Sequence, residues 1–140
     1  MVSRLVLDIP RSRQKGPAMS TADFKHFRLQ HVDGVVIIEM MSKDIQGPDM
    51  SKAFIAELMS VVEQEDAKPI LLNLRRTIYF SSMGYSALFK LVKFAKERQR
   101  PVRFCNMHPD VRVGGDIVGL PLVVEIHDTE ESALKAFSPA

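Results

Sequence analysis

Two adjacent serines, Ser81 and Ser82, follow the apolar run Ile70-Leu-Leu-Asn-Leu74 and the loop Arg75-Arg-Thr-Ile-Tyr-Phe80, and they open an amphipathic segment that continues from Gly84. Hydroxyls so placed stand where a helix begins. The first N–H groups of a helix have no partner within it, and the positive end of the helix dipole lies there, so a phosphorylated serine or a bound phosphate is stabilised. An unmodified serine at the same place caps the helix by accepting a backbone N–H. Phe80, Met83 and Tyr85 flank the pair and supply apolar contact surface, although apolar residues at these spacings also suit a core.

Other chemistries find no support in the residue pattern. His26, His31, His108 and His127 show no metal-ligand spacing, and the single cysteine, Cys105, has no partner for a zinc site or an internal disulfide. Cys105 lies in an alternating apolar run and reads as a buried thiol. Phe80-Ser-Ser-Met-Gly84 lacks the first glycine of a G-x-S-x-G nucleophile elbow, and Gly114-Gly115 is not followed by the Lys-Ser/Thr of a phosphate-binding P-loop. The expectation is a protein without catalysis, metal or cofactor.

The elements that position the serines are legible from periodicity. Two extended runs, about 24–32 and 35–40, flank Asp33-Gly34, a pair suited to a tight hairpin turn. Gly47-Pro48-Asp49 starts a helix whose apolar positions Met50, Phe54, Leu58, Val61 and Val62 recur at helical spacing through Gln64. Ile70–Leu74 is a short apolar run of the kind buried on both faces of a sheet. A second helix runs from the serines to about Arg98, with Gly84, Leu88, Leu91, Val92 and Ala95 on one face. Val102–Asn106 alternates as a strand, His108-Pro-Asp110 starts a short helix, and Gly119-Leu-Pro121 stops it. Leu122–Ile126 is read as the last strand, and Asp128-Thr-Glu-Glu131 opens a final helix with capping-box spacing. The order β-β-α-β-α-β-α-β-α predicts an α/β domain with a mostly parallel central sheet and an antiparallel N-terminal hairpin strand. Leu72, Leu74, Leu88, Val92 and Phe104 are its expected core.

At 140 residues the chain is one domain's worth, with ordinary apolar and charged content. The formal charge of +2 conceals an asymmetry: residues 1–20 carry a net +3 and the remainder −1. A near-neutral domain argues against direct nucleic-acid binding. Residues 1–20, with Pro10, Gly16, Pro17 and scattered positive charge, are expected to form a flexible basic arm before a domain at 21–140. Lys90, Lys93, Lys96, Arg98, Arg100 and Arg103 cluster on or after the second helix and read as a solvated face. No apolar run approaches the roughly 20 residues needed to span a bilayer, and no signal-peptide pattern is present, so a cytoplasmic protein without membrane insertion is expected.

From about Phe24 to Phe137 the chain resembles a STAS domain, the module of bacterial anti-sigma-factor antagonists and of the cytoplasmic tails of some sulfate transporters. The resemblance rests on Leu72-Asn-Leu74, on Phe80-Ser-Ser-Met-Gly84, on His108-Pro-Asp-Val111 followed by Val118-Gly-Leu120, and on Glu130-Glu-Ser-Ala-Leu134. In the family the loop reads approximately apolar, Asp, Ser, Ser or Thr, Gly, and the serine after the aspartate accepts phosphate. The resemblance therefore implies Ser82 as phosphoacceptor, with Ser81 the lesser candidate. Here Ser81 stands at the aspartate position and Met83 at the second hydroxyl position. The implied partner is an anti-sigma factor of the serine-kinase type, bound through Phe80, Ser81, Ser82, Met83, Gly84 and Tyr85. Two alternatives stay open: a phosphorylation-independent module in a larger signalling or transporter assembly, and a small-ligand or nucleotide sensor.

Overall fold

The computed structural model describes residues 5–6, 26–64 and 68–137. Its first long strands are β2 (Phe27–Val32) and β3 (Val35–Met40), paired antiparallel with Val32 opposite Val35. The turn needs left-handed backbone at both central residues, and Asp33 and Gly34 supply φ values of 51° and 80°. A two-residue strand, β1 (Leu5–Val6), pairs antiparallel with the outer edge of β2. The rest of the expected arm lies outside the described residues.

Beyond the hairpin the chain alternates strand and helix. A short β4 (Asp44–Ile45) leads to α1 (Pro48–Gln64), then β5 (Ile70–Asn73), a short β6 (Tyr79–Phe80) and α2 (Ser82–Glu97). β7 (Val102–Cys105), α3 (Pro109–Val118), a 3-10 turn at Leu120–Leu122, β8 (Glu125–His127) and α4 (Glu130–Phe137) complete it. The sheet order is β1-β2-β3-β5-β7-β8, with β3, β5, β7 and β8 parallel, while β4 and β6 form a separate parallel pair.

β3 and β5 are buried on both faces because helices cover both sides of the sheet. On one face, α1, α2 and Val111 of α3 enclose Val36, Ile38, Ile70, Leu72 and Phe104. On the other, α4 packs Ala133, Leu134 and Phe137 over Val35, Ile37, Leu71 and Cys105. All five residues expected in the core are buried, and Cys105 is buried among them as a thiol. Arg100 is buried too, and its guanidinium donates to the carbonyls of Val61 (3.2 Å), Val62 (2.7 Å) and Lys68 (2.8 Å), closing the C-terminus of α1 from outside that helix.

One boundary differs from expectation. Leu122 is not in the last strand: Gly119 turns left-handed at φ 83°, Leu120–Leu122 wind into the 3-10 turn, and pairing with β7 begins only at Glu125. The run 122–126 is apolar, but Leu122 is 89 % exposed and Val123 also faces solvent. Leu72, opposite Ile38 and Phe104 in the sheet, is wholly buried, so Leu72→Ala should lower unfolding free energy by about 2–5 kcal/mol in urea denaturation. A loss under about 1 kcal/mol would contradict that packing.

Candidate functional site at the start of α2

The chain approaches α2 along a tightly tied path. Thr77 Oγ1 donates to the Ser42 carbonyl (2.8 Å), the Ile78 N–H to Lys43 (2.8 Å) and the Ser81 N–H to Ile45 (2.9 Å), so the loop is laced to the segment before α1. Ser81 then has extended backbone (φ −77°, ψ 174°), its Oγ accepts the Gly84 N–H at 3.2 Å, and its carbonyl accepts the Tyr85 N–H. It is the N-cap. Ser82 is the first residue of the helix and is exposed. Neither its N–H nor that of Met83 has a partner among the described residues, which leaves the positive helix end open to solvent.

Gly84 lets the helix come this close. A Cβ there would stand 2.8 Å from the Ile45 carbonyl oxygen and 2.9 Å from Phe80 Cδ2. Phe80 packs against Phe54 and Tyr85 at ring separations of 6.3 and 5.5 Å. The Tyr85 hydroxyl donates to the Val111 carbonyl (2.8 Å), which ties α2 to α3. Burial, reinforced by Tyr79, raises the Tyr85 phenol above its ordinary pKa and keeps that proton in place.

A charged cluster that motif reading passes over holds the other end of the loop. Glu39 lies directly opposite Arg28 in the β2–β3 pairing, and its side chain is only 5 % exposed. It accepts from Arg28 Nε (3.1 Å), Gln30 Nε2 (2.9 Å) and an Arg75 guanidinium nitrogen (2.9 Å), with Arg76 Nε at 3.6 Å. Burial pushes the Glu39 carboxyl up, but the Arg28 hydrogen bond and the charges of Arg28, Arg75 and Arg76 outweigh it and hold the group below the ordinary carboxylate value. Asn73 completes the anchor: Oδ1 accepts the Arg75 N–H (3.0 Å) while Nδ2 donates to Glu130 (2.9 Å). The sequence signal was a lone carboxylate in the apolar run Val35–Met40.

The STAS domain family model matches residues 26–133. The chain belongs to the STAS domain family. Among solved structures, an anti-sigma-factor antagonist (STAS) domain protein from Planctomyces limnophilus is 18% identical, with a TM-score of 0.70 over 80% of this chain and 97% of its own. The phosphorylated form of the Bacillus cell fate determinant SpoIIAA is 19% identical, with a TM-score of 0.59 over 80% and 99%. The SulP transporter STAS domain from Vibrio cholerae is 17% identical, with a TM-score of 0.58 over 75% and 81%. At these identities the likeness is one of fold. No curated protein matches the sequence. Among the described residues no helix of this STAS domain is long and apolar enough to cross a membrane.

The six residues expected to meet a partner divide by burial. Phe80, Gly84 and Tyr85 face the core, so they shape the site without presenting contact surface. Ser81 is half-buried and committed to its cap. Ser82 and Met83 are exposed, and Ile78 and Tyr79, absent from the expected set, are exposed beside them in sequence. Elsewhere on the surface His127 lies 3.1 Å from both Ser132 Oγ and Glu125. That carboxylate also takes both arms of Arg103, which makes the array an ion-pair network.

Two measurements probe this architecture. Gly84→Val should destabilise the domain by about 1–3 kcal/mol, because the backbone carbonyl of Ile45 has to yield to the new side chain. A change within about 0.5 kcal/mol, the range of an ordinary surface substitution, would contradict the close approach. Glu39 has a lowered folded pKa, so its charge stabilises the fold above the unfolded carboxylate range and that contribution vanishes as acid protonates it. The stability advantage of the wild type over Glu39→Gln should thus be constant near neutral pH and shrink below about pH 4. A gap that widens in acid reverses the assignment.

Proposed function

We propose that this STAS domain is a non-enzymatic regulatory binding module that engages an anti-sigma factor of the serine-kinase type through Ile78, Tyr79, Ser82 and Met83, and that phosphorylation of Ser82 releases the partner. The observation that carries the reading is the division of labour between the serines. Ser81 is spent on the cap, while Ser82 stands exposed at the open N-terminus of α2 with apolar neighbours. A phosphate there adds about −1.5 to −2 charges to a surface that otherwise offers apolar contact, and the helix end stabilises it. The likeness to phosphorylated SpoIIAA, an anti-sigma factor antagonist, supports the same reading, which locates the protein in the cytoplasm.

A second reading is a constitutive interaction module in a signalling or transport assembly. It is favoured by Ser81 and Met83, which replace an acidic and a hydroxyl residue of the family loop, and by the likeness to a SulP transporter STAS domain. The open amides of Ser82 and Met83 also suit a small anionic ligand or nucleotide.

Incubation with ATP and a serine-kinase-type anti-sigma factor from the same organism, followed by mass spectrometry of the 77–90 peptide, tests the switch. Ser82→Ala should abolish phosphate incorporation and keep binding, Ser82→Asp should weaken binding, and Ser81→Ala should leave modification intact. Absence of label on either serine, or equal binding by Ser82→Asp and Ser82→Ala, would favour the constitutive module.

A further inference from the structure

A second surface, formed by other residues than the α2 N-terminus, is built for contact. Between residues 113 and 123 five large apolar side chains face solvent, with Val113 60 %, Ile117 80 % and Leu122 89 % exposed. Val113 and Ile117 are one turn apart and share the outer face of α3. Their inward neighbours Val111 and Gly115 are buried, so this face is left over after the core is satisfied. Apolar surface concentrated in this way marks an interaction site more often than scattered single residues do.

Val123 continues the ridge into a groove of about 220 Å³ between the end of α2 and the start of β7. Val92, Pro101 and Val102 give it an apolar lining, and Lys96 and Gln99 stand on the α2 side. The concavity suits an inserted aliphatic side chain. It is a poor match for a flat bilayer, and the exposed ridge contains none of the Trp or Tyr that favour membrane interfaces.

Charge identifies the partner. Of the six basic residues clustered on and after α2, Arg98 pairs with Glu63, Arg103 with Glu125, and Arg100 is spent on the α1 carbonyls. Lys90, Lys93 and Lys96 are exposed and have no ion-pair partner among the described residues; Glu97 is the sole acidic residue of α2. On α3, Arg112 and Asp116 satisfy each other at 3.0 Å. A second copy of the chain would bring the same lysines to the same edge.

We infer that the ridge Val113–Ile117–Leu122–Val123, with its groove and with Lys93 and Lys96 of α2, docks an amphipathic helix of a protein partner whose apolar face is bordered by acidic residues. This surface lies beyond the Ser82 switch and does not depend on it. The apolar anchors supply affinity, and the lysines supply orientation and rate.

The test uses the full chain and a fluorescein-labelled helical peptide of about five turns, with leucines on one face and glutamates beside them, read by anisotropy. A twin with lysines for glutamates serves as the control. The acidic peptide should bind saturably and more weakly as salt rises, and its twin should not bind. Ile117→Ser with Leu122→Ser should weaken binding by about tenfold or more. Lys93→Glu with Lys96→Glu should do the same, and Ser82→Asp should leave it unchanged. All four ridge and lysine positions are exposed, and unchanged thermal unfolding keeps each variant interpretable.

The inference is overturned by absence of saturable binding, by equal binding of the twin, or by loss of binding in Ser82→Asp alone. It is overturned as well if sedimentation reveals a dimer that Ile117→Ser dissolves, or if the chain binds phosphatidylserine vesicles and not the peptide. Failure of kinase labelling at Ser82 bears on the switch and leaves this surface untouched.

Discussion

The approach of α2 to the Ile45 carbonyl is the constraint around which the site is arranged. Backbone pairing of β4 with β6 brings the loop to the segment before α1, and the missing Cβ of Gly84 lets the first turn of α2 settle there. Everything nearby follows from that contact. Ser81 is held where its oxygen meets the Gly84 N–H, Phe80 and Tyr85 turn inward, and Ser82 and Met83 are left outside. The exposed set is thus a by-product of the buried one, and the surface cannot be altered at Phe80 or Tyr85 without disturbing the core.

The loop is secured from two sides by different chemistry. On one side backbone and hydroxyl hydrogen bonds to residues 42–45 are insensitive to pH. On the other a single buried carboxylate gathers Arg28, Arg75 and Arg76, an arrangement whose strength depends on its charge. For a protein-binding surface this matters because a preorganised loop loses little conformational freedom when it docks. The same rigidity gives one added charge at Ser82 a fixed position from which to oppose a partner.

Much of the fold could be read from local signals that physics makes strong. Asp33-Gly34 specified the hairpin because few residues adopt left-handed backbone in succession, and the apolar period of α2 with a serine before it located that helix to within a residue. The cap role of Ser81 was legible for the same reason. What escaped was non-local or very short. β4 and β6 have two residues each, too few for a period to register. The Glu39 cluster joins residues up to 48 positions apart in the chain, and the lone carboxylate in an apolar run signals a buried charge without naming its partners. Burial of Phe80 and Tyr85 depended on which way α2 faces, and the run at 122–126 misled because short apolar segments look alike whether they pair in a sheet or coat a surface.

Arg100 has a bearing on how such a chain assembles. α1 has no basic residue in its own last turn, and two of its terminal carbonyls, those of Val61 and Val62, are satisfied by a side chain that follows α2. The first helix therefore remains incomplete until the second has been made and folded back beside it. During synthesis, a chain that has emerged only as far as α2 carries an α1 whose end still bonds to water, and the two helical units gain full stability together. The domain is bound into one cooperative unit by a connection that runs backward along the chain, which makes a stable half-domain ending before residue 100 physically disfavoured.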